Sequence, residues 1–144
     1  MAQSKENLVL DFDGTLTDLQ KEAQPYIDVY RGILAGKLGM ERSDLEAMLE
    51  ETKRRVIENP QIYGWQHNGL IVAPATADPY ILNRVVVQES LAELDPKGRI
   101  TTDDLQAIHE KARKQKEIIF REGARDFLRM LGEHYRLHII TTSE

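Results

Sequence analysis

Residues 8–15 read Leu-Val-Leu-Asp-Phe-Asp-Gly-Thr, and this stretch decides the fold class that the sequence indicates. The apolar run from Leu8 predicts a short strand that is covered on both faces of a parallel sheet and ends at Asp11. Asp13 follows two residues later, and Gly14 lets the chain turn sharply after the strand. Ligands of open α/β sheets bind just outside the carboxyl ends of the strands. We therefore expect both carboxylates to lie at a functional edge of the sheet.

Two carboxylates at this spacing suit the chemistry of phosphate esters. One carboxylate can act as a covalent nucleophile, and a second can protonate the leaving oxygen and later activate water. Magnesium binds one or two carboxylates together with waters and substrate phosphate. Two other interpretations remain open. Asp-Gly is a common hairpin turn, although residues 16–22 do not alternate like a second strand. A nucleotide-sugar transferase could also use an Asp-x-Asp pair to hold a metal.

The composition indicates an ordinary globular protein of one domain, or of a small core with an insertion. The chain has 144 residues, no cysteine and a net charge of −5. This charge argues against a general nucleic-acid or anionic-membrane partner. The first seven residues lack the apolar region of a secretion signal, and no run reaches the roughly 20 apolar residues that span a bilayer. We expect a soluble cytoplasmic protein without disulfides.

The middle of the chain is mostly helical in pattern. Pro25 suits the first turn of a first helix that stops at Gly39. Ser43 and Glu46 form the spacing of a capping box for a second helix, which ends at Asn59-Pro60. Residues 61–76 look irregular, except for a short extended piece over Leu70–Val72.

Later signals predict three more elements before the final strand. Asp78-Pro79 is typical of the start of a helix, which the apolar pattern carries to Leu94. Thr101 or Thr102 should cap a fourth helix, whose apolar side extends to Ile119. A short amphipathic helix follows around residues 124–131, and Leu137–Ile140 should form a strand.

The strand at the end of the chain carries a second, weaker motif. Leu137-His138-Ile139-Ile140 is followed by Thr141 and Thr142. A short hydroxyl and neighbouring backbone N–H groups at a strand end can bind a phosphoryl group that is being transferred. The alternative is an ordinary strand end, since apolar strands followed by threonine are common.

Together, these two stretches resemble the first and second motifs of the haloacid-dehalogenase-like (HAD) hydrolase superfamily. The resemblance implies a magnesium-dependent phosphatase with a Rossmann-like parallel sheet. It implies that Asp11 is the nucleophile and that Asp13 is the general acid/base, with both residues contacting Mg²⁺. It places Gly14, Thr15, Thr141 and Thr142 around the phosphate. The substrate would be a small phosphorylated metabolite.

The same resemblance implies a division into domains. Residues 1–17 and 119–144 would form part of the HAD-like core, and residues 18–118 would form a helical cap of the C1 type. Such a cap closes over the site, excludes water and selects the substrate.

The chain also departs from the family pattern. The third motif, a lysine or arginine, and the fourth, a pair of acids, normally follow the second motif, and neither is visible after Thr141. We therefore expect an N-terminal portion of a longer protein, whose core another chain could complete. Two alternatives remain: an inactive fragment that acts as a metal-binding, phosphate-binding or interaction module, and a phosphomutase that shares the first motif.

Overall fold

The computed structural model describes residues 5–141, which divide into two compact units. One unit combines residues 1–22 with residues 117–144, and the other comprises Ala23–Lys116. We call them the sheet unit and the helical unit. The predicted boundaries were 17/18 and 118/119, and the assignment of the two parts as core and cap remains a prediction.

Four strands and five α-helices follow one another along the described chain. In order, they are β1 (Glu6–Asp11), α1 (Leu19–Leu38), α2 (Arg42–Glu58), β2 (Gly64–His67), β3 (Leu70–Pro74), α3 (Pro79–Leu94), α4 (Thr102–Arg113), α5 (Ala124–His134) and β4 (Tyr135–Ile140). None of the helices among residues 5–141 is both long enough and apolar enough to cross a bilayer.

The sheet unit contains a parallel pair of strands. β1 pairs with β4 over its whole length, so that Leu8 lies opposite Leu137 and Asp11 lies opposite Ile140. Parallel strands require a long connection, and the whole helical unit lies between these two in the sequence. This arrangement confirms the predicted α/β class with a parallel sheet and mostly helical content.

The sheet is less covered than the apolar run at Leu8 predicted. Leu8, Leu10 and Leu137 share one face and are half-buried, and α5 packs against β4. On the other face, Val9 and Ile140 are each 57% exposed. The expectation of a strand covered on both faces was therefore wrong for the described residues, because within the sheet unit α5 packs against β4 while Val9 and Ile140 remain exposed.

The first helix begins earlier than Pro25 suggested. α1 starts at Leu19, next to Asp18, whose carboxylate accepts a hydrogen bond of 3.3 Å from the N–H of Lys21. Pro25 lies inside the helix. Because proline has no backbone N–H, α1 lacks one backbone hydrogen bond at this position. The acceptor at Asp18 supplies the start that we had assigned to Pro25. The predicted stop is confirmed, since the helix ends at Leu38 and Gly39 adopts a φ of 68°.

The helical unit has an apolar core to which four helices contribute. Its fully buried side chains include Leu34 of α1, Leu45 and Leu49 of α2, Val86 and Val87 of α3, and Ile108 of α4. The two valines favour strands by intrinsic preference. Burial in this core compensates for that preference, and α3 is continuous from Pro79 to Leu94.

Two of the predicted helix caps are confirmed and one is wrong. The carboxylate of Asp78 accepts hydrogen bonds from the first turn of α3, and Thr101 forms a reciprocal capping box with Asp104. The capping box at Ser43 does not form: α2 begins at Arg42, and its N-cap residue makes no side-chain hydrogen bond. The carboxylate of Glu46 instead binds Arg31, so a tertiary ion pair has replaced the local cap.

A hairpin occupies part of the region that the sequence indicated as irregular. β2 and β3 pair antiparallel, and residues Asn68 and Gly69 have φ values of 50° and 78°. Asn-Gly is the preferred two-residue hairpin turn, so a local signal for this hairpin was present. Gly64 is required for close pairing, because a Cβ atom there would lie 2.1 Å from the carbonyl oxygen of Ala73.

The fourth helix is shorter than its apolar pattern suggested. α4 ends at Arg113, whereas the predicted stripe continued to Ile119. The backbone of Ile119 is bound elsewhere: its carbonyl accepts from the N–H of Asp18 at 2.7 Å, and its N–H donates to the Glu22 carboxylate at 2.9 Å. These bonds place Ile119 in the sheet unit.

Candidate active site

The predicted site residues follow the carboxyl ends of the two paired strands. Asp11 is the last residue of β1, and the N–H of Phe12 continues the pairing with a 2.9 Å hydrogen bond to the Ile140 carbonyl. Asp13 and Thr141 are therefore adjacent, although 128 positions separate them in the sequence. Thr142, the other threonine of the second motif, lies outside the described residues.

Asp13 and Thr141 are joined directly through their side chains. The Thr141 hydroxyl donates to Asp13 Oδ2 across 2.6 Å. A hydroxyl has one proton to donate, so Thr141 cannot donate to an incoming phosphoryl group while it makes this bond.

The loop after β1 has a defined turn conformation. Gly14 adopts a φ of 75°, a left-handed conformation that glycine reaches without steric cost. Its N–H donates to the Thr17 hydroxyl at 3.1 Å, and the N–H of Leu16 donates to the Phe12 carbonyl at 3.0 Å. Leu16 and Thr17 are buried, which anchors the end of the loop.

Exposure differs among the predicted site residues of this loop. Asp11 and Thr15 are exposed, whereas Asp13 and Gly14 are half-buried. The loop therefore presents one carboxylate and one hydroxyl to solvent, while the second carboxylate is held beside β4 by Thr141. This difference in environment is of the kind that lets two nearby carboxylates take different roles.

Arg121, which no sequence pattern indicated, also binds this loop. Its guanidinium donates to the carbonyl oxygen of Gly14 from Nε at 3.1 Å and from Nη2 at 2.8 Å. Its backbone N–H donates to the Leu16 carbonyl at 2.9 Å, and the preceding residue, Phe120, forms an antiparallel bridge with Thr17. No local pattern marked this arginine, because it is 107 residues from Gly14 in the chain.

Two further acids near the loop have structural partners. Glu22 is buried, and its carboxylate accepts the N–H of Ile119. Asp18 accepts hydrogen bonds from Lys21, and the bond with the Lys21 side chain is the main cause that lowers the pKa of Asp18 below its usual value. Both acids hold the ends of the connection into α1, so we do not assign them to the chemistry.

The donor set at the end of β1 fits magnesium in type. Asp11 supplies an exposed carboxylate, and Asp13 supplies a carboxylate and a backbone carbonyl. These are hard oxygen ligands, and Mg²⁺ commonly takes only one or two carboxylates together with waters and substrate phosphate. Within residues 5–141, no group of three or more histidine, cysteine, aspartate or glutamate side chains could hold a metal ion.

Comparisons with known proteins give a likeness to solved structures and none to family models or curated proteins. No protein-family model matches the chain, and no curated protein matches it. Among solved structures, the chain is similar to YfnB from Bacillus subtilis, a protein provisionally assigned as a HAD-hydrolase and crystallised with magnesium bound. The identity is 16%, the TM-score is 0.42, and the match covers 99% of this chain. The chain spans 56% of the length of that structure.

Proposed function

We propose that this chain belongs to a magnesium-dependent phosphohydrolase of the HAD type, which acts on a small phosphorylated metabolite through a phospho-aspartate intermediate. The observation that carries the proposal is the 2.6 Å hydrogen bond between Asp13 and Thr141. It unites two distant motifs at the ends of adjacent parallel strands, where α/β enzymes bind their ligands.

Each residue has a defined task in the proposed reaction. An oxygen of Asp11 forms a bond to phosphorus while the bond to the leaving oxygen breaks, and protonated Asp13 transfers its proton to that oxygen. Asp13 then takes a proton from water, whose oxygen attacks phosphorus as the bond to Asp11 breaks. Inorganic phosphate and the alcohol are the products.

The remaining groups bind and orient the substrate. Asp11 and Asp13 would hold Mg²⁺, which when bound neutralises negative charge on the phosphate. Thr15, Thr141 and Thr142 would donate hydrogen bonds to the phosphoryl oxygens. The N–H of Gly14 already donates to the Thr17 hydroxyl, so Gly14 would shape the turn and would not bind phosphate directly. The hydroxyl of Thr141 has one proton, so its hydrogen bond to Asp13 must break before it can donate to the substrate. Substrate binding would therefore leave the Asp13 carboxylate available for proton transfer.

Turnover of p-nitrophenyl phosphate with and without Mg²⁺ tests the proposal. We expect activity only with the metal, and a loss of at least about a thousandfold in kcat for Asp11→Asn, because the amide is a poor nucleophile. Asp44→Asn, on the exposed side of α2, is the matched control and should leave activity unchanged. Acid quenching should trap phosphate on the wild-type protein and none on Asp11→Asn.

Other outcomes would assign a different function. Equal turnover by wild type and Asp11→Asn would rule out the nucleophile. Transfer of phosphate to a second sugar hydroxyl instead of water would indicate a phosphomutase. Binding of inorganic phosphate and Mg²⁺ without turnover would indicate a module that binds but does not catalyse.

A further inference from the structure

The guanidinium of Arg121 binds the backbone of the loop that follows β1. This contact restrains the orientation of a peptide unit as well as the position of its carbonyl oxygen. Both Nε and Nη2 donate to the Gly14 carbonyl, at 3.1 and 2.8 Å. Two donors from one planar group restrain the direction of the carbonyl as well as its distance. The peptide unit between Gly14 and Thr15 is therefore held in one orientation.

The orientation of the Thr15 N–H follows from this restraint. The peptide unit is planar and trans, so its C=O and N–H bonds point to opposite sides. Because the Gly14 oxygen faces Arg121, the Thr15 N–H must point away from the guanidinium. Within residues 5–141 this N–H donates to no protein acceptor, and Thr15 is exposed.

The position of Arg121 is itself defined by backbone contacts. Its N–H bonds to the carbonyl of Leu16, a buried residue, and the bridge between Phe120 and Thr17 holds the adjacent residues. Substitution of the side chain leaves these backbone bonds in place. The side chain can therefore be changed with little effect on the path of the chain.

We propose that Arg121 is a positioning residue that directs the Thr15 N–H toward the phosphoryl group. The proposal rests on the phosphohydrolase function proposed above. A backbone N–H without a protein partner, next to a glycine in left-handed conformation, is a suitable donor to an anion. The cation bound to the carbonyl of the same amide polarises that amide and strengthens the N–H as a donor.

Binding of inorganic phosphate in the presence of Mg²⁺ tests this role separately from turnover. Arg121→Met keeps an apolar side chain of similar length and removes every hydrogen-bond donor of the guanidinium. Arg121→Lys keeps the positive charge but cannot donate from two nitrogens of one planar group. We expect the Kd for phosphate to rise about tenfold in Arg121→Met and less in Arg121→Lys. Arg125→Met, an exposed arginine in the first turn of α5, is the matched control and should bind phosphate like wild type.

A spectroscopic measurement distinguishes positioning from general stability. In wild type, phosphate should move the amide proton resonance of Thr15 downfield, and Arg121→Met should reduce that shift while its melting temperature stays near that of wild type. Wild-type affinity in Arg121→Met, an unchanged Thr15 resonance in wild type, or absence of phosphate binding would overturn the proposal. Turnover of p-nitrophenyl phosphate separates the two proposals: no Mg²⁺-dependent turnover by wild type would refute the phosphohydrolase function, and the phosphate-binding measurements would remain interpretable.

Discussion

Arg31 makes the contact whose removal should most clearly destabilise the helical unit. It lies on α1, is 8% exposed, and donates from Nε to Asn83 Oδ1 of α3 at 3.0 Å. Its guanidinium also binds the carboxylate of Glu46 on α2 and lies 3.8 Å from Glu50. One side chain therefore joins three helices, and Arg31→Met removes these polar contacts while it retains the stem.

The magnitude follows from the burial of each partner. Asn83 is 2% exposed, and its side-chain nitrogen already lacks a partner within the described chain. Leaving its oxygen unpaired as well should cost about 1–3 kcal/mol. Glu46 is partly exposed and retains its ion pair with Arg42 at 3.4 Å. Loss of the ion pair between Arg31 and Glu46 should therefore add no more than about 1 kcal/mol. We expect Arg31→Met to lower the free energy of unfolding by about 1–4 kcal/mol.

Urea unfolding followed by circular dichroism measures this change, and fluorescence of Trp65, the single tryptophan, reports on the helical unit. Arg54→Met is the matched control, because Arg54 pairs with Glu51 at an exposed position and should change stability by less than about 0.5 kcal/mol. Adding Asn83→Leu to Arg31→Met should recover stability, since replacing both partners by apolar groups is nearly neutral. Equal stability of Arg31→Met and Arg54→Met would refute the reasoning.

Three further changes test local features of the helical unit. Gly64→Ala should destabilise by about 1–3 kcal/mol in the same urea titration, because the new Cβ would clash with the carbonyl of Ala73; wild-type stability would contradict the observed pairing. Gly36→Ala, inside α1 with no atom near the new Cβ, should instead stabilise by about 0.5–1 kcal/mol, and a loss would contradict it. The hydrogen bond from Lys37 lowers the folded-state pKa of Asp104 below 3.8. Its contribution to stability is therefore present above pH 3.8 and is lost as the pH falls toward the lowered value. Asp104→Asn should flatten the stability profile in that acidic range, and an unchanged slope would argue against the ion pair.

Helix starts were predictable where a cap and its partner lie within a few residues. Asp78 binds N–H groups two and three positions away, and Thr101 pairs with Asp104. Such bonds form before any tertiary contact is needed, so a short window of sequence contains all the relevant groups. The predicted capping box at Ser43 did not form, because the carboxylate of Glu46 makes an ion pair with Arg31 on another helix.

The hairpin and the short fourth helix show two different causes of error. The turn at Asn68-Gly69 was a readable local signal that we did not weigh. The end of α4 could not be read locally, since Ile119 continues the apolar spacing of the helix. Its backbone is bound by Asp18 and Glu22, about a hundred residues earlier in the chain.

The sequence by itself determined that a strand ends in two carboxylates before a glycine turn, and that a second strand follows a long helical stretch. These features depend on neighbouring residues, through side-chain alternation and the backbone freedom of glycine. Only the tertiary structure decided that Thr141 binds Asp13 and that Arg121 binds the carbonyl of Gly14. Both contacts depend on the parallel pairing and on the bridge at Thr17, which join distant segments by backbone hydrogen bonds that any residue type can make.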